Sequence, residues 1–141
     1  MVAYVDSSAM LAVLLREDRA RAVQDAMQAA SNVVTSALTA VECSRALIHA
    51  KRRGRIDETE ERRLQRALKE AEAEWNVQAI TARVMFRARE PLPADPIRTL
   101  DALHIATILQ LHVSFSDLAL VSLDRRMREC VAAVGIPVLP V

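Results

Sequence analysis

The 141-residue chain has almost no net charge: 19 Lys and Arg stand against 18 Asp and Glu, a balance of +1 with His neutral. That excludes a polybasic nucleic-acid tail and an acidic one. Aromatics are scarce, 3% of residues: Tyr4, Trp75, Phe86 and Phe115. A surface that stacks single-stranded bases on rings is therefore not expected. Only two cysteines occur, Cys43 and Cys130, far apart and outside any CxxC spacing. No zinc site or disulfide framework follows, and two buried thiols are the expectation. Lysine is nearly missing: Lys51 and Lys69 are the only two, and the other 17 cations are arginines. No apolar run reaches the ~18 residues of a membrane span; the early run Ala9 to Leu15 is far shorter. Asp6 interrupts the N-terminal apolar stretch, which argues against a signal peptide. A soluble protein of a reducing cytoplasm, with no membrane partner, is expected.

What is present suits one ordinary domain spanning residues 1–141. Hydrophobic residues make up 52% and charged residues 26%, enough for a sizeable core and too apolar for wholesale disorder. No internal repeat, low-complexity tract or linker divides the chain. The arginine bias suits phosphate, because a planar guanidinium can bond two oxygens at once.

Strand and helix patterns alternate from end to end. Val2 to Val5 is a short β-leaning run, followed by an apolar helix through Leu15 that Ser7 or Ser8 can cap. Asp18 is placed to cap a second helix, with Ala22, Val23, Ala26, Met27 and Ala30 at helical spacing. Val33 to Thr35 reads as a strand, and Ser36 as the cap of a helix stopped by Gly54. Asp57-x-x-Glu60 resembles a capping box, with Leu64, Ala67, Leu68 and Ala71 as its apolar stripe. Glu58–Arg62 and Arg66–Glu70 are spaced as surface pairs on that helix. Trp75 to Ile80 reads as a strand, and Thr81 opens a helix. Pro91, Pro93 and Pro96 mark a loop. Asp95-Pro96 is an N-cap and first-turn pair for a helix to about Leu111. Leu118 to Ser122, Arg125 to Val134 and Ile136 to Leu139 complete the series as strand, helix, strand. This order favours an α/β sandwich with a mostly parallel sheet, where sites collect at the strand-to-helix junctions.

Four acids stand out by position. Asp6 and Asp124 follow strands directly. Glu42 and Asp101 lie inside helices among apolar neighbours, a poor choice by propensity and a costly one in a core. Each has a bland role open to it: helix caps for Asp6 and Asp124, a capping box with Thr39 for Glu42, a first-turn acid facing water for Asp101. Their joint placement argues for more. Two carboxylates ~5 Å apart repel by roughly 3 kcal/mol at an effective dielectric of 20. A converged set must be protonated, paired with Arg, or neutralised by a cation. Oxygen donors without Cys or a clear His partner suit Mg²⁺ or Mn²⁺, and such ions activate water against phosphodiesters.

The residues also carry a family resemblance. Val5-Asp6-Ser7-Ser8-Ala9, Ser36 to Glu42, Arg98 to Ala106 and Val121 to Met127 resemble, in order, the four motifs of PIN domains. Ser122 stands where the family often has Thr. Order, spacing and length are similar to the VapC toxins of bacterial VapBC toxin–antitoxin systems, over essentially the whole chain. The resemblance implies a three-layer α/β/α fold around a parallel sheet and a Mg²⁺- or Mn²⁺-dependent endoribonuclease, acting on RNA such as a transfer or ribosomal RNA. It implies an acidic quartet of Asp6, Glu42, Asp101 and Asp124. Asp6 and Asp101 would be the principal metal ligands, Asp124 would complete the site, and Glu42 would ligate a second ion or help deprotonate water. Ser8 and Ser122 would orient carboxylates or the water. It further implies a homodimer and a VapB-type antitoxin whose C-terminal segment fills the groove.

His104 lies one turn from Asp101; a hydrogen-bonded structural role is preferred over that of a general base. Arg98, Arg125 and Arg126 flank the motifs and are candidates to touch RNA phosphate. Arg52, Arg53 and Arg55 suit the end of their helix, where the dipole favours cations. A non-cleaving PIN-like module that binds RNA or protein is the alternative reading. A phosphoacceptor domain is not favoured: Met1 to Val5 has no acid, and no Lys follows Lys69.

Overall fold

In the computed structural model, which describes residues 1–141, five strands and seven helices alternate. They are β1 (Val2–Val5), α1 (Ser7–Leu14), α2 (Ala20–Gln28), β2 (Asn32–Ser36), α3 (Ala37–Arg52), α4 (Glu58–Glu74), β3 (Asn76–Gln78), α5 (Ala82–Ala88), α6 (Thr99–Ser114), β4 (Leu118–Val121), α7 (Arg125–Ala132) and β5 (Val138–Leu139). The strands form one sheet in the order β3-β2-β1-β4-β5, and every pairing is parallel.

Alternation along the strands builds three layers, because successive side chains leave opposite faces of a sheet. Val2 and Tyr4 of β1 join Leu118 and Leu120 of β4 under Ile105 and Ile108 of α6 and Met127 and Val131 of α7. Ala3 and Val5 face the other way, with Val121, against Ala9 of α1 and Val23 of α2. The α3–α4 hairpin adds a third cluster, in which Cys43 and Leu47 meet Leu64, Leu68, Met10 and Leu14. The fold is thus an α/β/α sandwich around a parallel sheet. No helix is long and apolar enough to cross a membrane.

Several local expectations change. Asp6, not Ser7 or Ser8, caps α1, by accepting from the Ala9 N–H at 3.0 Å. The Ser8 hydroxyl is committed elsewhere. Asp18 does not cap α2; Arg19 occupies that position without a side-chain bond. Asp95 does not start α6. Its carboxylate accepts from the Leu92 N–H at 2.7 Å, closing the preceding turn, and α6 begins at Thr99 behind Arg98. Strands β3 and β5 and helix α7 are shorter than their sequence patterns, while α6 runs on to Ser114. Ser36, Asp57 and Thr81 do cap α3, α4 and α5. Glu58–Arg62 forms as an ion pair, but Glu60 turns to Arg63 rather than back to its own cap. Gly54, at φ +70°, takes the left-handed position after α3 that costs other residues strain. Both cysteines are free and buried.

Candidate active site at the sheet's switch point

Chain order along the sheet reverses between β1 and β4: β2 and β3 lie to one side, β4 and β5 to the other. In open parallel sheets the crevice at such a reversal, beyond the strands' C-terminal ends, is the place for a ligand. The register Val5↔Val121 sets the next residues, Asp6 and Ser122, side by side at that point.

Asp6 is 2% exposed. Its Oδ2 accepts from the Ser122 hydroxyl at 2.5 Å, and its Oδ1 from the Ser8 hydroxyl at 2.7 Å and the Ala9 N–H. Burial pushes the carboxyl pKa up from its usual range, and those three hydrogen bonds pull against the shift. The two hydroxyls also build the neighbouring loop. Ser8 Oγ accepts from the N–H groups of Leu123 and Asp124 at 2.9 and 3.1 Å, and Ser122 Oγ from Asp124 at 3.1 Å. Asp124 in turn caps α7 through Oδ1 and the Met127 N–H, 2.8 Å apart. Asp6, Ser8, Ser122 and Asp124 are therefore one hydrogen-bonded unit.

Glu42 and Asp101 arrive from helices α3 and α6. Glu42 Oε1 lies 2.5 Å from His104 Nε2. His104 is 1% exposed, and its Nδ1 lies 2.7 Å from the Tyr4 hydroxyl. The hydrogen-bonded role expected for this histidine is the one observed. Asp101, with a side chain 15% exposed, receives Arg98 Nε at 3.2 Å. Arg98 lines a cleft of about 710 Å³ with Asp124, Arg125, Arg126, Glu129, Ala94 and Pro96. Within it Arg125 pairs with Glu129 at 2.7 Å, and Arg126 donates to the Pro96 carbonyl at 3.1 Å.

An all-carboxylate donor set has the chemistry a hard divalent cation takes. Yet no three His, Cys, Asp or Glu side chains are grouped closely enough to hold one. The four acids are instead met singly: Asp6 by hydroxyls, Asp124 by a helix N-terminus, Asp101 by Arg98, Glu42 by His104. Two supports went unremarked in the sequence. One is Tyr4, detectable only as a large aromatic in a strand of small apolar residues. The other is Arg128, whose guanidinium donates to the carbonyls of Ser122, Leu139 and Pro140 and ties α7 to the ends of β4 and β5. It sits one helical turn past Asp124, with nothing in the local pattern to mark it.

Comparison with known proteins agrees with this layout. The chain is 32% identical over 136 residues to ribonuclease VapC46 of Mycobacterium tuberculosis, covering 96% of this chain and 95% of that one. Among solved structures, M. tuberculosis VapC20, described as a sarcin-ricin loop cleaving toxin, superposes with a TM-score of 0.65 at 17% identity, over 95% of each chain. A toxin–antitoxin complex from Klebsiella pneumoniae gives a TM-score of 0.62 at 22% identity, covering 98% of this chain and 96% of that one. The PIN domain family model matches residues 3–131. With that match and a relative 32% identical over nearly its whole length, the chain belongs to the PIN domain family and is of its VapC type.

Proposed function

We propose that this chain is a Mg²⁺- or Mn²⁺-dependent endoribonuclease, the toxin of a type II toxin–antitoxin pair. The observation that carries the reading is Asp6: a carboxylate buried at the switch point, held by two hydroxyls and a backbone N–H, beside a cleft edged by three arginines. Burying a carboxylate is costly even when hydrogen bonds offset part of the cost, and such local conflicts collect at functional sites. Asp6, Asp101 and Asp124 would hold the ion, with Glu42 as a further ligand or as the group that takes a proton from the attacking water. When bound, a divalent ion supplies Lewis acidity at the phosphoryl group. The chain's own residues do the rest. Ser8 and Ser122 hold the Asp6 carboxylate in one orientation. Arg98, Arg125 and Arg126 offer guanidinium groups to phosphate, and Arg98 would leave Asp101 as the ion enters.

The partners proposed are an RNA substrate, a VapB-type antitoxin and a second copy of this chain, in the cytoplasm. The antitoxin is supported by the likeness to a toxin–antitoxin complex. The alternative, a non-cleaving PIN-like binding module, is favoured by one observation: no three ligating side chains stand together. The purified chain incubated with RNA decides between them. The nuclease reading expects cleavage with Mg²⁺ or Mn²⁺, none with EDTA, and none by Asp101→Asn. RNA binding with no cut under any of these metals would establish the binding module.

A further inference from the structure

A histidine in a core must satisfy both ring nitrogens, and a neutral imidazole has one donor and one acceptor. His104 is a buried residue of α6, and the buried Ile105 and Ile108 of the same helix offer it nothing polar. Its two partners come from elsewhere: Tyr4, 100 residues away on the sheet's central strand, and Glu42, 62 residues away on α3. Tyr4 is wholly buried, and its ring stands edge-on to the imidazole at 6.1 Å and 82°. A phenol hydroxyl can either donate or accept. An ionised carboxylate can only accept, so Glu42 takes its hydrogen bond from the imidazole, and the phenol donates to the nitrogen left bare, Nδ1. That leaves Nε2 as the protonated nitrogen, and it faces Glu42.

We infer that His104 is a positioning residue: Tyr4 fixes its Nε2–H tautomer, and that N–H holds the Glu42 carboxylate in one orientation at the rim of the acidic groove. This inference rests on the nuclease reading, in which Glu42 works on the reaction. Tyr4, in the middle of a five-stranded sheet, cannot shift without disturbing the core. Its rigidity passes through the imidazole to Glu42 Oε1, while Oε2 accepts no hydrogen bond from the protein and remains free for an ion or a water. Glu42 is the one member of the three that reaches solvent, with a side chain 22% exposed. A purely structural core would be served at lower cost by Phe and Leu in place of Tyr4 and His104, because a buried polar chain must repay its desolvation.

The test is a cycle of variants. Rates of RNA cleavage are measured for wild type, Glu42→Gln, His104→Leu, His104→Gln, Tyr4→Phe and each combined with Glu42→Gln, after thermal melts confirm folding. His104→Leu should lower kcat by about 10- to 100-fold, the usual cost of losing a group that orients a ligand, with KM little changed. His104→Gln, which can present an amide N–H to Glu42, should restore most of that loss. In the Glu42→Gln background the His104 and Tyr4 substitutions should have no further effect, since coupled residues are not additive. Multiplying effects, or a fully active His104→Leu, would overturn the inference. Nitrogen-15 NMR of the imidazole gives an independent readout: Nε2 protonated and Nδ1 bare is expected, and the opposite tautomer refutes the assignment. If wild type cleaves no RNA, the nuclease reading fails, and the spectrum still decides the hydrogen-bond assignment.

Discussion

The two halves of the candidate site are built by different means. On the sheet side, Asp6 and Asp124 are held by neutral donors: the hydroxyls of Ser8 and Ser122 and the N–H groups of Ala9 and Met127. No cation touches them. On the helix side, Asp101 is met by a cation, Arg98, and Glu42 by the imidazole of His104. The sheet half is fixed by backbone register, since Asp6 and Ser122 are consecutive to paired residues of neighbouring strands. The helix half depends on one side-chain hydrogen bond reaching from α6 to α3, between His104 and Glu42, and on an arginine that is 76% exposed. The lesson is that a carboxylate is held by dipoles where burial and register fix it, whereas Asp101, reached by a solvent-exposed arginine, takes a countercharge.

The strongest break of this contrast is Asp6→Asn. RNA cleavage should fall by about a hundredfold or more, a loss typical of a preorganised electrostatic group. The same change removes a desolvated charge, so the metal-free variant should melt at or above the wild-type temperature at neutral pH. A joint loss of activity and stability would show the carboxylate to be structural. Next in size is Ser122→Ala. It removes one donor from the buried Asp6 oxygen, with an expected cost of about 1–3 kcal/mol in chemical denaturation and about tenfold in cleavage. Arg98→Ala acts on the other half. Its RNA affinity should lose about 0.7 from the slope of log K against log salt, one phosphate contact on a single strand, and freed Asp101 should bind Mn²⁺ more tightly by calorimetry.

The effect that is absent at neutral pH sits behind both halves. Burial first, then the nearby Glu42 and Asp6 charges, push the Cys43 thiol up to about 12. A thiol that stays protonated when folded but ionises near its ordinary pKa when unfolded costs stability as pH rises. Between about pH 9 and about pH 12 its contribution should decline by up to about 1.4 kcal/mol per unit. Cys43→Ala should remove that part of the slope in denaturation midpoints. The folded wild-type thiol should also resist alkylation at pH 8 and label once denatured.

Much of the layout was legible in the chain. The caps Ser36, Asp57 and Thr81 announce α3, α4 and α5 because a side-chain oxygen and the N–H groups it satisfies are neighbours in sequence. Asp95 misled for the same reason: as a local donor-acceptor pair it served a turn as readily as a helix. Glu42 and Asp101 were visible as local conflicts with propensity and burial, and Asp6 and Asp124 by their place after strands. Their partners were not. Ser122 meets Asp6 across 116 residues, His104 meets Glu42 across 62, and Arg128 reaches carbonyls at the ends of two strands.

The amino-acid order alone determined which segments became strands and helices, that the sheet would be parallel, and which carboxylates stand at strand ends or on apolar helix faces. These follow from periodicity, capping and chain connectivity, all of short range. Only the tertiary structure decided that chain order reverses between β1 and β4, that Asp6 sits in the resulting crevice, and which partner each acid takes. Those outcomes depend on strand neighbours and helix packing, where residues far apart in the chain meet through space and leave no periodic trace in the sequence.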